Sequence, residues 1–150
     1  MSRKNGFTLV EMMIVVVLIG LVTLIGLPKV ASGLAKANLR SSRTTMANMF
    51  AKARAVATQQ NRRTSVAFNG NNVVVTAAPR KLAGVGTVDT IGAVEKLDGL
   101  YGVTLATPPV TSVPFDPRGF GTLGGSRTFV VTRSGYRDSI IVDGLGRVIK

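Results

Sequence analysis

The chain has 150 residues, enough for one small domain with an appendage. It contains no cysteine and no histidine, which removes disulfides, thiol nucleophiles, the commonest general base and the commonest transition-metal ligand. Lys and Arg number 19 against 7 Asp and Glu, giving a formal charge of +12. We therefore expect no catalytic site, metal or cofactor. The charge favours an anionic partner such as nucleic acid, lipid headgroups or an acidic protein surface, and the alternative is a basic surface that is only solvated.

The first predicted element is an apolar helix, Phe7–Leu27, in which Glu11 is the one charged residue. A helix of that length measures about 31 Å and can cross a bilayer core about 30 Å thick. Arg3 and Lys4 precede it, so the positive-inside rule predicts a cytoplasmic N-terminus and a body outside. A cleaved secretory signal is the alternative, but its apolar region is about 7 to 15 residues long and ends at small residues. The longer run here, followed by Pro28, favours a retained segment.

Glu11 places a carboxylate inside the apolar segment, where a charge normally marks a function or a partner. The sequence GFTLVE, residues 6–11, closely resembles the leader junction of type IV pilins and pseudopilins. The resemblance implies that a prepilin peptidase cuts between Gly6 and Phe7 and that Phe7 is then N-methylated. It also implies that Glu11 serves filament assembly, and Pro28 matches a helix-bending proline that is frequent in this family.

The physical chemistry of this segment agrees with the resemblance. Cleavage would create a cationic amine on Phe7, because an α-amine has a pKa near ~8. That amine can pair with Glu11 of a neighbouring subunit, so two charges that are each costly in lipid become acceptable together. The resemblance further implies a single-pass protein of the inner membrane with a periplasmic head, which later joins other pilins or pseudopilins in a pilus or pseudopilus.

A second helical stretch is predicted after Pro28, to about residue 60, because Ala, Leu, Met, Lys and Arg dominate and no proline follows. One face of this stretch is apolar and should pack on a globular head. The members of the apolar face are Met46, Met49, Ala53 and Val56. A basic stripe carries Lys29, Lys36, Arg40, Arg43 and Arg54. We interpret the stripe as a solvated face, or as a contact with filament neighbours and lipid headgroups.

Beyond residue 63 the pattern indicates β-structure. RTSVAFNGNNVVVTAA contains two β-rich runs around Asn69-Gly70, a combination typical of a hairpin. Residues 79–99 predict a mixed loop and 100–106 a strand, and prolines at 108, 109 and 114 then interrupt the chain. Three short strands are expected at about 127–132, 137–142 and 146–150, with turns at Ser134-Gly135 and Asp143-Gly144.

The predicted fold class is α+β, with a long N-terminal helix, transmembrane in its first half, packed on an antiparallel β-sheet head. Four segments follow from the chain order. They are a leader peptide at 1–6, a transmembrane or filament-core helix at 7–27, the second half of the helix at 28–60, and the β-rich head at 61–150.

Two stretches of the head resemble the FimT/GspH-like minor pilins and pseudopilins. FDPRGFGT, residues 115–122, is similar to a Phe-x-x-x-Gly stretch of that family, and FVVTRSGYRDSIIVDGLGRV, residues 129–148, is similar to its closing strands. The resemblance implies a type IV pilin-like fold and a minor pilin assembled near the tip of a filament. The alternative is a GspH-like minor pseudopilin of a type II secretion system, whereas the composition disfavours a membrane-anchored enzyme.

Some FimT-like proteins bind DNA in natural transformation, and the charge of this chain permits the same function. Arg and Lys contacts to phosphates supply most non-specific affinity for double-stranded DNA. The candidate DNA-binding residues are Arg118, Arg127, Arg133, Arg137, Arg147 and Lys150. Arg133, Arg137 and Arg147 lie at or next to predicted turns and would form one patch if those turns meet. The DNA-binding proteins carry a motif that begins Gly-Arg, and Ile149 stands here where that motif has a further arginine.

Overall fold

A computed structural model describes residues 6–79, 88–106 and 108–149 of the chain. The chain divides after Leu34 into two compact units. Most of the predicted loop at 79–99 is described, but residues 80–87 and Lys150 lie outside the described residues.

Helix α1, Leu9–Gln60, begins in the first unit and contains 52 residues. Thr8 precedes it, and the Thr8 hydroxyl accepts the backbone N–H of Glu11 at 3.2 Å, as an N-cap does. The apolar side chains of this unit are exposed along the helix, and Pro28 lies inside the helix without ending it. By length and composition, α1 is apolar enough to cross a membrane.

In the second unit, the predicted apolar face of α1 is confirmed. Met46, Met49 and Ala53 are buried and Val56 is half-buried. The other buried residues of the helix repeat every three or four positions, which is the spacing of one helix face. They are Ala35, Leu39, Ser42, Phe50 and Ala57. The helix ends at Gln60, as the sequence predicts, and Asn61 follows with a φ of 48°.

Five of the described strands form an antiparallel sheet that contains the predicted hairpin. Strands β1, Thr64–Asn69, and β2, Asn72–Ala77, are joined through Gly70, whose φ of 57° suits a tight turn. Two short strands, β3 (Asp89–Thr90) and β4 (Glu95–Lys96), pair with β2. Strand β6, Ser112–Phe115, pairs with β1 at the other edge. The buried positions of β1 and β2 alternate, so one face of this sheet faces the core.

A second antiparallel sheet has the strand order β5-β7-β8. Its strands are β5 (Thr104–Leu105), β7 (Arg127–Arg133) and β8 (Tyr136–Val142). The turn between β7 and β8 is at Ser134-Gly135, as predicted, and the predictions for these two strands are confirmed. Over its described residues, 146–149, the predicted strand at 146–150 is wrong, because Val148 forms only a single bridge to Val142.

Two further predictions for the head are corrected. The segment 100–106 is not one strand, because its first two residues belong to helix α2, Leu97–Tyr101. Gly102 follows the helix in a left-handed backbone conformation. Pro114 does not break the chain but lies within β6, opposite Ser65. The Pro114 carbonyl accepts the N–H of Thr122, away from β1, so the missing proline N–H also faces away from the β1 ladder.

Three phenylalanine rings connect α1 with both sheets. Phe50 of the helix, Phe68 of β1 and Phe129 of β7 have ring centroids 4.7 to 6.2 Å apart. All three side chains are buried, and valines of both sheets pack around them. The aromatic cluster therefore forms the centre of the head's core.

Candidate functional site

The predicted processing junction lies just before α1. Gly6 and Phe7 are exposed and precede the helix, and Glu11 is exposed in its first turn. A Cβ added at Gly6 would meet nothing within 4 Å. The part of the chain that the structure describes therefore sets no requirement for glycine at that position.

The β7–β8 hairpin separates the predicted DNA-binding arginines into two groups. Arg133 and Arg137 lie at the Ser134-Gly135 turn, whereas Arg127 is opposite Val142 at the other end. Arg147 is at that other end too, because its carbonyl accepts the N–H of Asp143. Seven-residue strands are about 20 Å long. The two turns therefore do not meet, and Arg147 does not share a patch with Arg133 and Arg137.

At the turn end of the hairpin, basic residues of α1 and β8 line an open groove of about 540 Å³. We name it the helix–hairpin groove, and its lining residues are Lys36, Leu39, Arg40, Arg43, Tyr136, Arg137 and Asp138. The guanidinium of Arg43 donates to the carboxylate of Asp138 at 3.3 Å. The Lys36 ammonium lies 4.9 Å from the ring centroid of Tyr136. Of the cations in this group, only Arg137 is predicted from the sequence as a DNA-binding residue, because the cations of α1 are about 100 residues away in the chain.

At the opposite end of the hairpin, Arg147 closes a tight turn with Asp143. The Asp143 carboxylate accepts the backbone N–H of Arg147 at 2.7 Å and its Nε–H at 2.8 Å. The backbone N–H of Arg147 lowers the pKa of Asp143 below its ordinary value of 3.8, and the guanidinium adds to this effect. Arg147 is still well exposed, but part of its charge is neutralised by this partner.

The two stretches that carry the family resemblance meet next to this turn. Gly146 has a φ of 75°, and a Cβ there would lie 2.5 Å from Cε1 of Phe115. A Cβ at Gly121 would lie 2.5 Å from the backbone nitrogen of Gly146. Phe115 and Gly121 of the FDPRGFGT stretch therefore pack against Gly146 of the Gly-Arg pair. The glycine of Phe-x-x-x-Gly itself, Gly119, lies against Arg54 instead. Both stretches are visible in the sequence, but only the fold shows that they meet.

Arg54 connects α1 to the same contact. Its Nε–H donates to the carbonyl of Gly119 at 3.0 Å, and its guanidinium carbon lies 6.0 Å from the centroid of Phe115. The interpretation of the basic stripe as a solvated or intermolecular face is therefore wrong for Arg54, and also for Arg43, which bonds to Asp138 of the head.

The remaining candidates lie apart from the groove. Arg118 is exposed, and its backbone N–H donates to Asp116 at 3.0 Å. Arg127 is half-buried, and its guanidinium donates to the carbonyl of Ser126 at 3.1 Å. Among the described residues, no group of three or more His, Cys, Asp or Glu side chains could hold a metal ion.

A long apolar N-terminal helix, whose second half packs on antiparallel sheets, together with a prepilin junction, defines the chain as a pilin-like subunit. The prokaryotic N-terminal methylation motif matches residues 1–27. The family of the type II transport protein GspH matches residues 44–146, more than half of the chain, so the chain belongs to this family. It is a minor pilin or pseudopilin of the type IV pilus and type II secretion systems.

A solved structure supports the fold assignment. The type IV minor pilin FimU of Pseudomonas aeruginosa PAO1 superposes with a TM-score of 0.59 at 17% identity, covering 75% of this chain and 87% of FimU. A search of curated proteins found no significant match. The predicted FimT/GspH-like family and pilin-like fold are confirmed. The prediction that the chain is not an enzyme is also confirmed, because its family and FimU are structural pilin components.

Proposed function

We propose that a prepilin peptidase cleaves the chain between Gly6 and Phe7, that Phe7 is N-methylated, and that Glu11 pairs with the Phe7 amine of a neighbouring subunit. The match of residues 1–27 to the methylation motif supports this proposal. The exposure of Gly6 and Phe7 before the start of α1 supports it further, because a peptidase needs access to the bond that it cuts.

Before assembly, the subunit crosses the inner membrane once through its apolar helix, with the N-terminus in the cytoplasm and the head in the periplasm. Two features support this placement: the exposed apolar side chains of the first unit, and the cations Arg3 and Lys4 before it in the sequence. Inner-membrane lipid is then replaced by the helices of other pilins when the subunit enters the filament.

Within the filament, the subunit acts as a minor pilin near the tip of a type IV pilus. The likeness of its head to a minor pilin supports this assignment at the level of fold. The match to GspH favours a second candidate, a minor pseudopilin of a type II secretion system. Deletion of the gene distinguishes the two candidates. Loss of surface pili with normal secretion supports the minor pilin. Accumulation inside the cell of proteins that are normally secreted, with normal pili, supports the pseudopilin.

Processing is tested by replacing Gly6 with leucine and measuring the N-terminus by mass spectrometry. We expect the unmodified chain to begin at methylated Phe7 and the Gly6→Leu chain to keep its leader. Gly33→Leu serves as a matched control, because Gly33 is also exposed with nothing within 4 Å of an added Cβ. Efficient trimming of Gly6→Leu would contradict the assigned junction.

The head also binds double-stranded DNA through basic residues, as a receptor in natural transformation. The support is the formal charge of +12 and the exposure of Arg118, Arg137 and Arg147 on the described head. The test is the binding of the full chain, in a neutral detergent, to a labelled DNA duplex across a salt series. Binding that weakens steeply with salt is expected, and absence of binding at about 0.1 M salt would overturn this function.

A further inference from the structure

The helix–hairpin groove collects cations from two elements that are far apart in sequence. Lys36, Arg40 and Arg43 come from α1, and Arg137 comes from β8. Asp138 is the acidic residue among the lining side chains, and Arg43 holds its carboxylate. The charges of Lys36, Arg40 and Arg137 therefore act on whatever enters the groove.

The spacing of the helical cations suits a linear polyanion. Lys36, Arg40 and Arg43 follow the pattern i, i+4, i+7, which places them on one helix face over about 10 Å. A DNA strand presents a phosphate about every 3.4 Å along the duplex axis. Arg43 is held by Asp138, so Lys36 and Arg40, about 6 Å apart along the helix, are the helical cations spaced to contact two phosphates of one strand.

The shape of the groove favours a nucleic acid strand over a membrane surface. Its walls are α1 on one side and β8 on the other, so the cations line a concavity. A phosphate backbone is convex and can enter a concavity, whereas lipid headgroups form a flat layer that contacts protruding side chains. Arg40 and Arg137 add planar guanidinium groups, which bind phosphate oxygens in a bidentate manner.

We propose that the helix–hairpin groove is the DNA-binding site of this subunit, with Lys36, Arg40 and Arg137 contacting the phosphates of a duplex. Arg43 is a positioning residue, which ties α1 to β8 through Asp138. This inference rests on the proposed DNA-binding function and moves the site away from the C-terminal turn, where Arg147 is already engaged by Asp143.

The test compares two triple variants of the full chain that remove the same charge. The groove variant is Lys36→Gln, Arg40→Gln and Arg137→Gln. The control variant is Lys52→Gln, Arg63→Gln and Lys96→Gln, three exposed cations that do not line the groove. Binding to a labelled 20-base-pair duplex is measured in a neutral detergent across a salt series. We expect the groove variant to lose about tenfold or more in affinity at about 0.1 M salt, and its log–log salt slope to fall by roughly 3. The control variant should lose less than about threefold.

Each other outcome overturns the inference in a distinguishable way. Equal losses in both variants, or a loss confined to the control variant, would overturn the groove while DNA binding by the head stands. Absence of binding by the unmodified chain would overturn both. A groove variant that keeps its DNA affinity but loses affinity for micelles of short-chain phosphatidylglycerol would assign the groove to lipid headgroups instead.

Discussion

Gly146 lies where the C-terminal turn meets the loop after β6, and its conformation is set by both. Its φ of 75° is in the left-handed region, and the ring of Phe115 occupies the space that a Cβ would need. The glycine of the Gly-Arg pair is thus explained by packing in the head. The arginine of the pair has a structural partner too, because its backbone and side chain both donate to Asp143.

Replacing Gly146 with alanine should destabilise the head by about 2–4 kcal/mol, since backbone strain adds to overpacking against Phe115. Gly135→Ala is the matched control. Its φ of 81° is similar, but nothing lies within 4 Å of an added Cβ, so we expect only the strain cost of about 1–2 kcal/mol. Urea unfolding of the full chain in a neutral detergent measures both. Equal losses of stability in Gly146→Ala and Gly135→Ala would contradict the packing of Phe115 against Gly146.

Asp143 should make the stability of the head depend on pH in the acid range. The folded state lowers the pKa of Asp143 below 3.8, so the carboxylate stabilises the fold above that pH. The stabilisation is lost as the pH falls through the lowered value. We therefore expect the stability difference between the unmodified chain and Asp143→Asn to shrink between about pH 6 and pH 3 in urea unfolding.

Arg147→Gln is the control for this pH dependence. It removes the guanidinium but keeps the backbone N–H, which is the largest cause of the lowered pKa of Asp143. Most of the pH dependence should therefore remain in Arg147→Gln. If the stability of the unmodified chain and that of Asp143→Asn depended on pH in the same way, the lowered pKa of Asp143 in the folded state would be contradicted.

At the scale of elements, the long helix and the main hairpins could be predicted because their signals are local. The apolar period of α1 and the Asn69-Gly70 turn determine those elements within a few residues of sequence. Strand β6 could not be predicted, because Pro114 normally interrupts a strand and is tolerated here only at a sheet edge. Helix α2 has only five residues, too few for a period to show.

Phe50 of α1 packs against a phenylalanine of each sheet, so Phe50→Ala should destabilise the head by about 3–5 kcal/mol. Leu100→Ala is the control, because Leu100 is a large apolar residue of the head with 57% exposure. Leu100→Ala should change the free energy of unfolding by less than about 0.5 kcal/mol. The midpoint of urea unfolding at unchanged slope measures both losses. A loss below about 1 kcal/mol in Phe50→Ala would contradict the central role of the aromatic cluster.

At the scale of the whole molecule, the two parts of the candidate site differ in how far the sequence predicts them. The junction at Gly6 and Phe7 depends on consecutive residues, so the sequence alone suggests it. The basic groove depends on α1 lying beside β8, and no local pattern places Arg40 near Arg137. Charge composition predicted an anionic partner, but only the fold separates the cations facing the groove from those, such as Arg54, that hold the head together.

In the function proposed above, Glu11 connects the single subunit to the filament, because its charge needs a partner that another subunit brings. Glu11→Ala should insert in the membrane and lose its leader normally, since neither step uses the carboxylate. Its amount in sheared filaments should fall on the order of tenfold or more, because the Phe7 amine of a neighbour is left buried without an opposite charge. Glu95→Ala, which removes one acid from the head, should assemble normally. Normal amounts of Glu11→Ala in sheared filaments would contradict the pairing of Glu11 with that amine.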